Sequence, residues 1–263
     1  MKTIILAAGM GTRLKNYTKN LPKGMLEFAG KSLIERQIET LRNAGANKIV
    51  IVKGFMPDTI AFPDVTYYVN EKYENTNMVE TFMCAESEMT EGLLVCYSDI
   101  LYEQSVIEKA IATECDIGVV YDANFAEYWT TRLEHPEEDN ESFVIGSDGN
   151  ISELGIPNPP NEKMDGRYVG ILKFSRSGIE NFRRIYNENR KKYFESDEPW
   201  LNSKSFKKAY MTDMLQAVID AGITVTPIPI SHGWLEFDTV EDYEKYHQWA
   251  EDGSMKQFFN IES

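Results

Sequence analysis

Cysteine is scarce: Cys84, Cys96 and Cys115 are the 3 in a chain of 263 residues, widely spaced and in or beside apolar segments. No metal-binding spacing is present among them, so they read as buried free thiols in a reducing compartment. Histidine is as rare, and His135, His232 and His247 have no ligand-like spacing. Positive charge is short: 27 basic residues face 42 acidic ones, a net charge of −15. That balance argues against a polyanion such as DNA or an acidic membrane surface as partner. No apolar run is long enough to span a bilayer, and the stretch from Thr3 to Ala8 is too short for a signal-peptide core. The expected compartment is the cytoplasm. There is no internal repeat, no low-complexity stretch, no Walker loop and no complete Rossmann fingerprint, since Leu14 stands where the third glycine would be.

What the chain does have is concentrated at its start. The run Ile4-Ile5-Leu6 is short, apolar and β-branched, and reads as a buried parallel strand. It runs into Ala7-Ala8-Gly9-Met10-Gly11-Thr12-Arg13, where small residues let the backbone curl around a ligand with its N–H groups inward. Arg13 sets a guanidinium beside that curl, and Pro22-Lys23-Gly24 brings a second cation from another turn. Strand, glycine loop, arginine and lysine together suit a triphosphate. Both cations lie in glycine- or proline-marked turns, so they are expected to contact phosphate rather than support the fold.

Further on, Ser32-Leu33-Ile34-Glu35 is a capping-box pattern that starts a helix, and Gly45 stops it. Strands are expected at Lys48 to Lys53, Thr66 to Val69, Leu93 to Tyr97, Ile117 to Tyr121, Tyr168 to Phe174 and Thr224 to Ile230. Helices are expected near Met78 to Glu86, Val106 to Ala112, Ile179 to Tyr193, Thr212 to Asp220 and from Val240. This alternation predicts an α/β fold: one Rossmann-like, doubly wound, mostly parallel sheet forming a single domain over residues 1–263. Ligands then sit at the carboxyl ends of the strands. Residues 122–165 break the pattern, being acidic and rich in turn residues. They read as an insertion with a small β-hairpin about Gly146-Ser147-Asp148-Gly149 that carries substrate contacts.

Two carboxylates stand out. Asp99 follows the strand Leu93 to Tyr97, and Asp238 closes Trp234-Leu235-Glu236-Phe237-Asp238. Asp99 also suits a turn or cap. Asp238-x-x-Glu241 reads as a capping box for the last helix.

The string LAAGMGTRL followed by PKGML resembles the signature of the nucleotidyltransferases that activate sugar phosphates and choline phosphate. The resemblance implies that Leu6, Ala7, Ala8, Gly9, Gly11, Thr12, Arg13 and Lys23 hold a nucleoside triphosphate. It further implies that Lys23 and Arg13 act on reacting phosphate and that Asp99 and Asp238 hold Mg²⁺. Mg²⁺ prefers carboxylate, phosphate and water oxygens. The Asp-x-Asp pair common in relatives is missing: the string is Tyr97-Ser98-Asp99-Ile100. That counts against the metal-dependent glycosyltransferases sharing the fold.

NEKYENTNM, Tyr128-Trp129-x-x-Arg132, Gly166-x-Tyr168-x-Gly170, Tyr210-Met211-Thr212-Asp213 and Trp234-x-Glu236-x-Asp238 are similar to the branch acting on choline phosphate and related phosphonates. The nucleotide implied is CTP. The acceptor implied is a zwitterion such as phosphocholine, 2-aminoethylphosphonate or a phosphorylated amino acid derivative. Asn77, Trp129, Arg132, Glu141, Tyr168, Asp213, Trp234 and Glu236 are the acceptor candidates. Trp129, Tyr168 and Trp234 would form an aromatic wall for the amine, with Asp213 or Glu141 as ammonium partners. A sugar-1-phosphate nucleotidyltransferase is the alternative enzyme. A nucleotide-binding regulatory module is the alternative of another class, against which Lys23, Asp99 and Asp238 together argue.

Overall fold

The computed structural model describes residues 1–261. The last two residues of the expected domain lie outside the described residues. In chain order the elements are β1 (Lys2–Ala7), β2 (Glu27–Phe28), β3 (Lys31–Ser32), α1 (Leu33–Asn43), β4 (Lys48–Lys53), β5 (Val65–Val69), α2 (Met78–Met83), β6 (Leu93–Tyr97) and β7 (Ile100–Tyr102). Then come α3 (Gln104–Ala112), β8 (Ile117–Asp122), α4 (Phe125–Arg132), β9 (Glu141–Ile145), β10 (Ile151–Pro157), β11 (Arg167–Phe174) and α5 (Arg176–Tyr193). The chain continues through α6 (Met211–Asp220), β12 (Thr226–Ile230), β13 (Trp234–Glu236) and α7 (Val240–Asp252).

Seven strands form the central sheet in the order β12-β8-β11-β6-β1-β4-β5. All neighbours are parallel except β11, which runs antiparallel to both β6 and β8. Alternating side chains divide the core between the two faces. Ile5, Ile49, Ile51, Leu94 and Cys96 pack on one side with residues of α1, α3 and α7, and Ile4, Leu6, Val50, Val52 and Val95 pack on the other with residues of α2, α5 and α6. Ile4 and Ile5 have no solvent exposure. Each such side chain stabilises the fold by roughly 1.5–3 kcal/mol through burial.

The expected doubly wound α/β architecture is therefore present. Two features were not expected. The segment after β8 begins with a helix, α4, before reaching the β9–β10 hairpin. Short strands β7 and β13 also pair antiparallel, which fastens Trp234–Glu236 beside the stretch that follows Asp99. Of the cysteines, Cys96 is buried, while Cys84 and Cys115 are half-buried rather than buried; all are free thiols.

The register brings the site together. Leu6 lies opposite Val52 on one side and Tyr97 on the other. The glycine loop after β1 and the Ser98-Asp99 turn after β6 therefore leave the sheet at one level, tied by the Ser98 N–H donating to the Leu6 carbonyl at 3.3 Å.

Candidate active site

The loop after β1 turns at Gly11, whose φ of 65° lies in the left-handed region. A side chain there would also meet the Lys23 Cβ at 3.0 Å, so glycine is required on both counts. Thr18 Oγ1 donates to the Gly11 carbonyl at 2.7 Å and closes the loop. Lys23 opens a single turn after Pro22, and the next residue, Gly24, packs so tightly that a Cβ would meet Ile34 at 2.7 Å and Ser98 at 3.0 Å. That packing presses the Lys23 turn against the Asp99 turn.

The result is an ion cluster. Lys23 Nζ lies 2.7 Å from Asp99 Oδ2 and 2.6 Å from Asp238 Oδ1. Arg13 Nη1 meets the other oxygen of Asp238 at 2.5 Å. Burial works against the Lys23 charge, but Asp99 and Asp238 outweigh it and hold the ammonium above the ordinary lysine range. Burial and the neighbouring Glu236 push the Asp238 carboxyl up, against the pull of Lys23 and Arg13. Lys23 is thus part of the local fold as well as a phosphate candidate, a correction to the expectation that it supports no structure. Its Nζ is a buried counter-ion between two carboxylates, while the Arg13 side chain, paired with Asp238 from outside, is 66% exposed.

Asp238 is not the cap of α7. The N-cap is Thr239, whose Oγ1 accepts from the Asp242 N–H at 3.1 Å, while Asp242 Oδ2 accepts from the Thr239 N–H at 2.9 Å. The expected box between Asp238 and Glu241 is displaced by one residue. A threonine with an aspartate three positions on satisfies the helix end, and the Asp238 carboxylate is left for the cluster.

Two recesses meet at Asp99, Tyr97 and Met78. The first is lined by Leu6, Ala8, Gly9 and Lys23 of the nucleotide candidates, with Asn77 and Ser98, while Arg13 lines the second. Ala7 is packed into the core and Thr12 is exposed at the start of the turn, so neither side chain lines it. Asn77 was placed with the acceptor; it lies in this first recess, with its Nδ2 donating to the Lys208 carbonyl at 3.1 Å. The second recess is lined by Arg13, Asp139, Glu141, Arg167, Tyr168, Trp234, Glu236 and Asp238, among others.

Three acceptor candidates are already occupied by the protein itself. Trp129 is 1% exposed, and the guanidinium carbons of Arg167 and Arg132 lie 3.9 and 4.5 Å from its ring centre, so its face is covered. Arg132 gives Nε and Nη2 to the two oxygens of Asp242 at 2.8 Å each and Nη1 to Glu236 at 2.7 Å. Asp213, wholly buried, accepts from the Asn202 N–H at 2.9 Å and from Ser203 Oγ, so it cannot reach a ligand. Trp234 is 1% exposed, with its Nε1 donating to Asp122 at 2.9 Å; it floors the recess as core rather than forming a wall. Tyr168 lines the recess, and its hydroxyl donates to Tyr97 at 3.1 Å.

Glu141 and Glu236 line the recess. Burial raises the Glu141 carboxyl and the Asp139 carboxyl beside it, and Arg167 only partly offsets this. Burial also opposes the Glu236 charge, but Arg132, Arg167 and Lys23 hold its carboxyl below the usual range. Arg167 and Tyr97 are not among the expected site residues, whereas Asp139 and Met78 lie in segments expected to carry substrate contacts. Arg167 and Tyr168 sit together in the Gly166-to-Gly170 stretch, but only their register opposite Asp122 and Tyr121 sets them at the strand ends.

The carboxylates of Asp99 and Asp238 converge on one cation and fit a divalent metal completed by phosphate and water oxygens. Among the described residues there is no cluster of three or more side chains that would cage a metal without a ligand.

Residues 3–142 match the MobA-like NTP transferase domain. The chain belongs to this family. The nucleotidyltransferase is 33% identical over 255 residues to the CTP:phosphoglutamine cytidylyltransferase of Campylobacter jejuni, covering 93% of this chain and 98% of the relative. It is 35% identical over 107 residues to the choline-phosphate cytidylyltransferase of Streptococcus pneumoniae, covering 39% of this chain and 47% of the relative. Its fold matches the solved structure of the CTP:phosphocholine cytidylyltransferase from Streptococcus pneumoniae with a TM-score of 0.72 at 21% identity, covering 95% and 98% of the two chains. The nucleotidyltransferase thus stands among cytidylyltransferases for small phosphorylated molecules. No helix among its described residues is long and apolar enough to cross a membrane.

Proposed function

We propose that this nucleotidyltransferase moves a cytidylyl group from CTP to a small zwitterionic phosphate or phosphonate in the cytoplasm. The observation that carries the reading is the Lys23–Asp99–Asp238 cluster at the meeting point of two recesses, one walled by the glycine loop and one by carboxylates. The glycine loop and Asn77 receive the nucleotide, and Arg13 swings from Asp238 to its phosphates. The acceptor lies in the second recess, where residues of the excursion between β8 and β11, Asp139 and Glu141, supply its contacts. Its ammonium is recognised by carboxylates, not by a tryptophan face.

An anionic oxygen of the acceptor attacks the α-phosphorus of CTP. The bond from that phosphorus to the oxygen bridging the β-phosphorus breaks, and pyrophosphate leaves with the electron pair. No proton has to move at neutral pH, so the residues work by positioning and by neutralising charge. Lys23 supplies a cation to the reacting phosphate. Asp99 and Asp238 would hold Mg²⁺, which supplies charge neutralisation to the phosphates when bound.

The test is pyrophosphate release with each nucleoside triphosphate crossed against phosphoglutamine, phosphocholine, 2-aminoethylphosphonate and glucose 1-phosphate. CTP with an amine-bearing acceptor is expected to be fastest. Faster turnover of glucose 1-phosphate would establish a sugar nucleotidyltransferase instead. Nucleotide binding with no pyrophosphate from any pair would establish a regulatory module.

A further inference from the structure

The second recess carries a charge arrangement that the transfer itself does not use. Arg132 is matched by Asp242 and Glu236 at 2.7–2.8 Å, and Lys23 with Arg13 is matched by Asp99 and Asp238. What remains is the Arg167–Asp139 pair, at 3.3 Å, and the carboxylate of Glu141, all lining the recess. Arg167 is 8% exposed, and its guanidinium carbon lies over the Trp129 ring at 3.9 Å from the centre. Among the described residues its hydrogen bonds go to Asp139, with Nη1 donating to the carbonyl and Nη2 to a carboxylate oxygen at 3.3 Å. Arg132, on α4 and over the same tryptophan, has its Nε, Nη1 and Nη2 committed to bonds of 2.7–2.8 Å. A buried guanidinium held over an aromatic ring, with a single carboxylate contact at 3.3 Å, can exchange that contact for the carboxylate of a ligand.

Resting on the cytidylyl-transfer reading, we propose that Arg167, Glu141 and Asp139 read the α-amino acid end of the acceptor. The Arg167 fork takes its carboxylate, and Glu141 with Asp139 takes its ammonium. The added ligand charges cancel, and the ammonium offsets the excess carboxylate in the recess. The acceptor class is then a phosphorylated amino acid. Phosphocholine and 2-aminoethylphosphonate have a cation but no carboxylate, and would leave Arg167 on Asp139.

The experiment is a cross of ligand groups against residues. The acceptor is phosphoglutamine or O-phosphoserine, whichever the wild type turns over faster. It is compared with the same molecule lacking its α-carboxylate and with the same molecule lacking its α-amino group, by pyrophosphate release from CTP. In the wild type each deletion is expected to lower kcat/KM by roughly 10²–10³-fold, as losing one partner of a desolvated charge pair does. Arg167→Met should slow the intact acceptor by a similar factor and treat it and its decarboxylated form nearly alike. Glu141→Gln should do the same for the amino group. Arg167→Lys, which keeps the charge and loses the fork, covers the case in which the methionine variant unfolds; most of the carboxylate discrimination should go with it.

The inference is overturned if the wild type accepts the decarboxylated molecule as readily as the intact one. It is equally overturned if the Arg167 variants slow every acceptor by one common factor, which a purely structural arginine would give. Turnover of phosphocholine with neither amino acid used would also overturn it while leaving cytidylyl transfer intact. Absence of pyrophosphate with every acceptor would instead remove the transfer reading on which it rests.

Discussion

Lys23→Met keeps a side chain of similar length and removes its charge. Lys23 Nζ bridges Asp99 at 2.7 Å and Asp238 at 2.6 Å, and those side chains are only 17% and 8% exposed. Removing one partner of a buried pair costs about 3–5 kcal/mol. Arg13 stays on Asp238 and Asp99 keeps some water, so the lower end applies, about 3 kcal/mol. For a chain of this size that corresponds to a fall in Tm of roughly 6–12 °C. The sign with pH follows from the protonation states. In the wild type the folded Lys23 pKa is raised above its unfolded value. Its contribution is therefore full below the ordinary lysine range and is lost only as pH rises through the raised value. In the variant the stranded carboxylates can escape by taking up protons, so the deficit should shrink between pH 8 and pH 5. Thermal melts of the ligand-free proteins at both pH values measure this, together with the Lys23→Met, Asp99→Asn, Asp238→Asn triple variant, which should recover most of the loss. A Lys23→Met protein melting within a degree of wild type at pH 8 would refute the view that the lysine is a structural counter-ion.

The carboxylates should be needed for turnover. Asp99→Asn and Asp238→Asn should each lower kcat by roughly 10²–10³-fold, as loss of transition-state charge stabilisation does, and chelation should abolish pyrophosphate release that Mg²⁺ then restores. Full activity after chelation would dismiss the metal. Trp129→Ala should act on stability rather than on acceptor KM, costing roughly 3–5 kcal/mol for a buried aromatic; a stable variant with a raised acceptor KM would restore the aromatic wall. Glu141 has a folded pKa raised by burial, so its ionisation destabilises the ligand-free fold above that pKa, and the penalty fades as pH falls below it. Glu141→Gln should therefore raise Tm at pH 8 but not at pH 4, while weakening an amine-bearing acceptor; a lower Tm at pH 8 would contradict this.

The features legible in the sequence are those written in contiguous residues. The loop from Ala7 to Arg13 and the Pro22-Lys23-Gly24 turn are local, and their glycines are forced by backbone conformation and close packing visible as composition. Asp99 was legible from its place at a strand end. The direction of β11 was not, because hydrophobic periodicity marks a strand without giving its orientation. α4 was missed because its large side chains, Tyr128 and Trp129, are adjacent rather than spaced around one face. The aromatic wall failed for a related reason. A tryptophan near a strand end reads the same whether a ligand or the protein's own guanidinium covers it, and the stacking of Arg167 on Trp129 joins residues far apart in the chain. The helix cap was misplaced by a single residue, since Asp238 and Thr239 are both competent caps and only the fold chooses.

The reversed strand β11 has an evolutionary consequence. Because it is antiparallel between β6 and β8, its first residue pairs with the last residue of β8, Arg167 opposite Asp122. The excursion carrying α4 and the β9–β10 hairpin therefore leaves the sheet and rejoins it on adjacent rungs at the ligand end. Such a segment is a cassette: it can be lengthened, shortened or grafted from a cousin without altering the register of β1, β4 or β6, on which the glycine loop depends. Acceptor preference can then diversify within a lineage while the machinery that grips the triphosphate stays fixed.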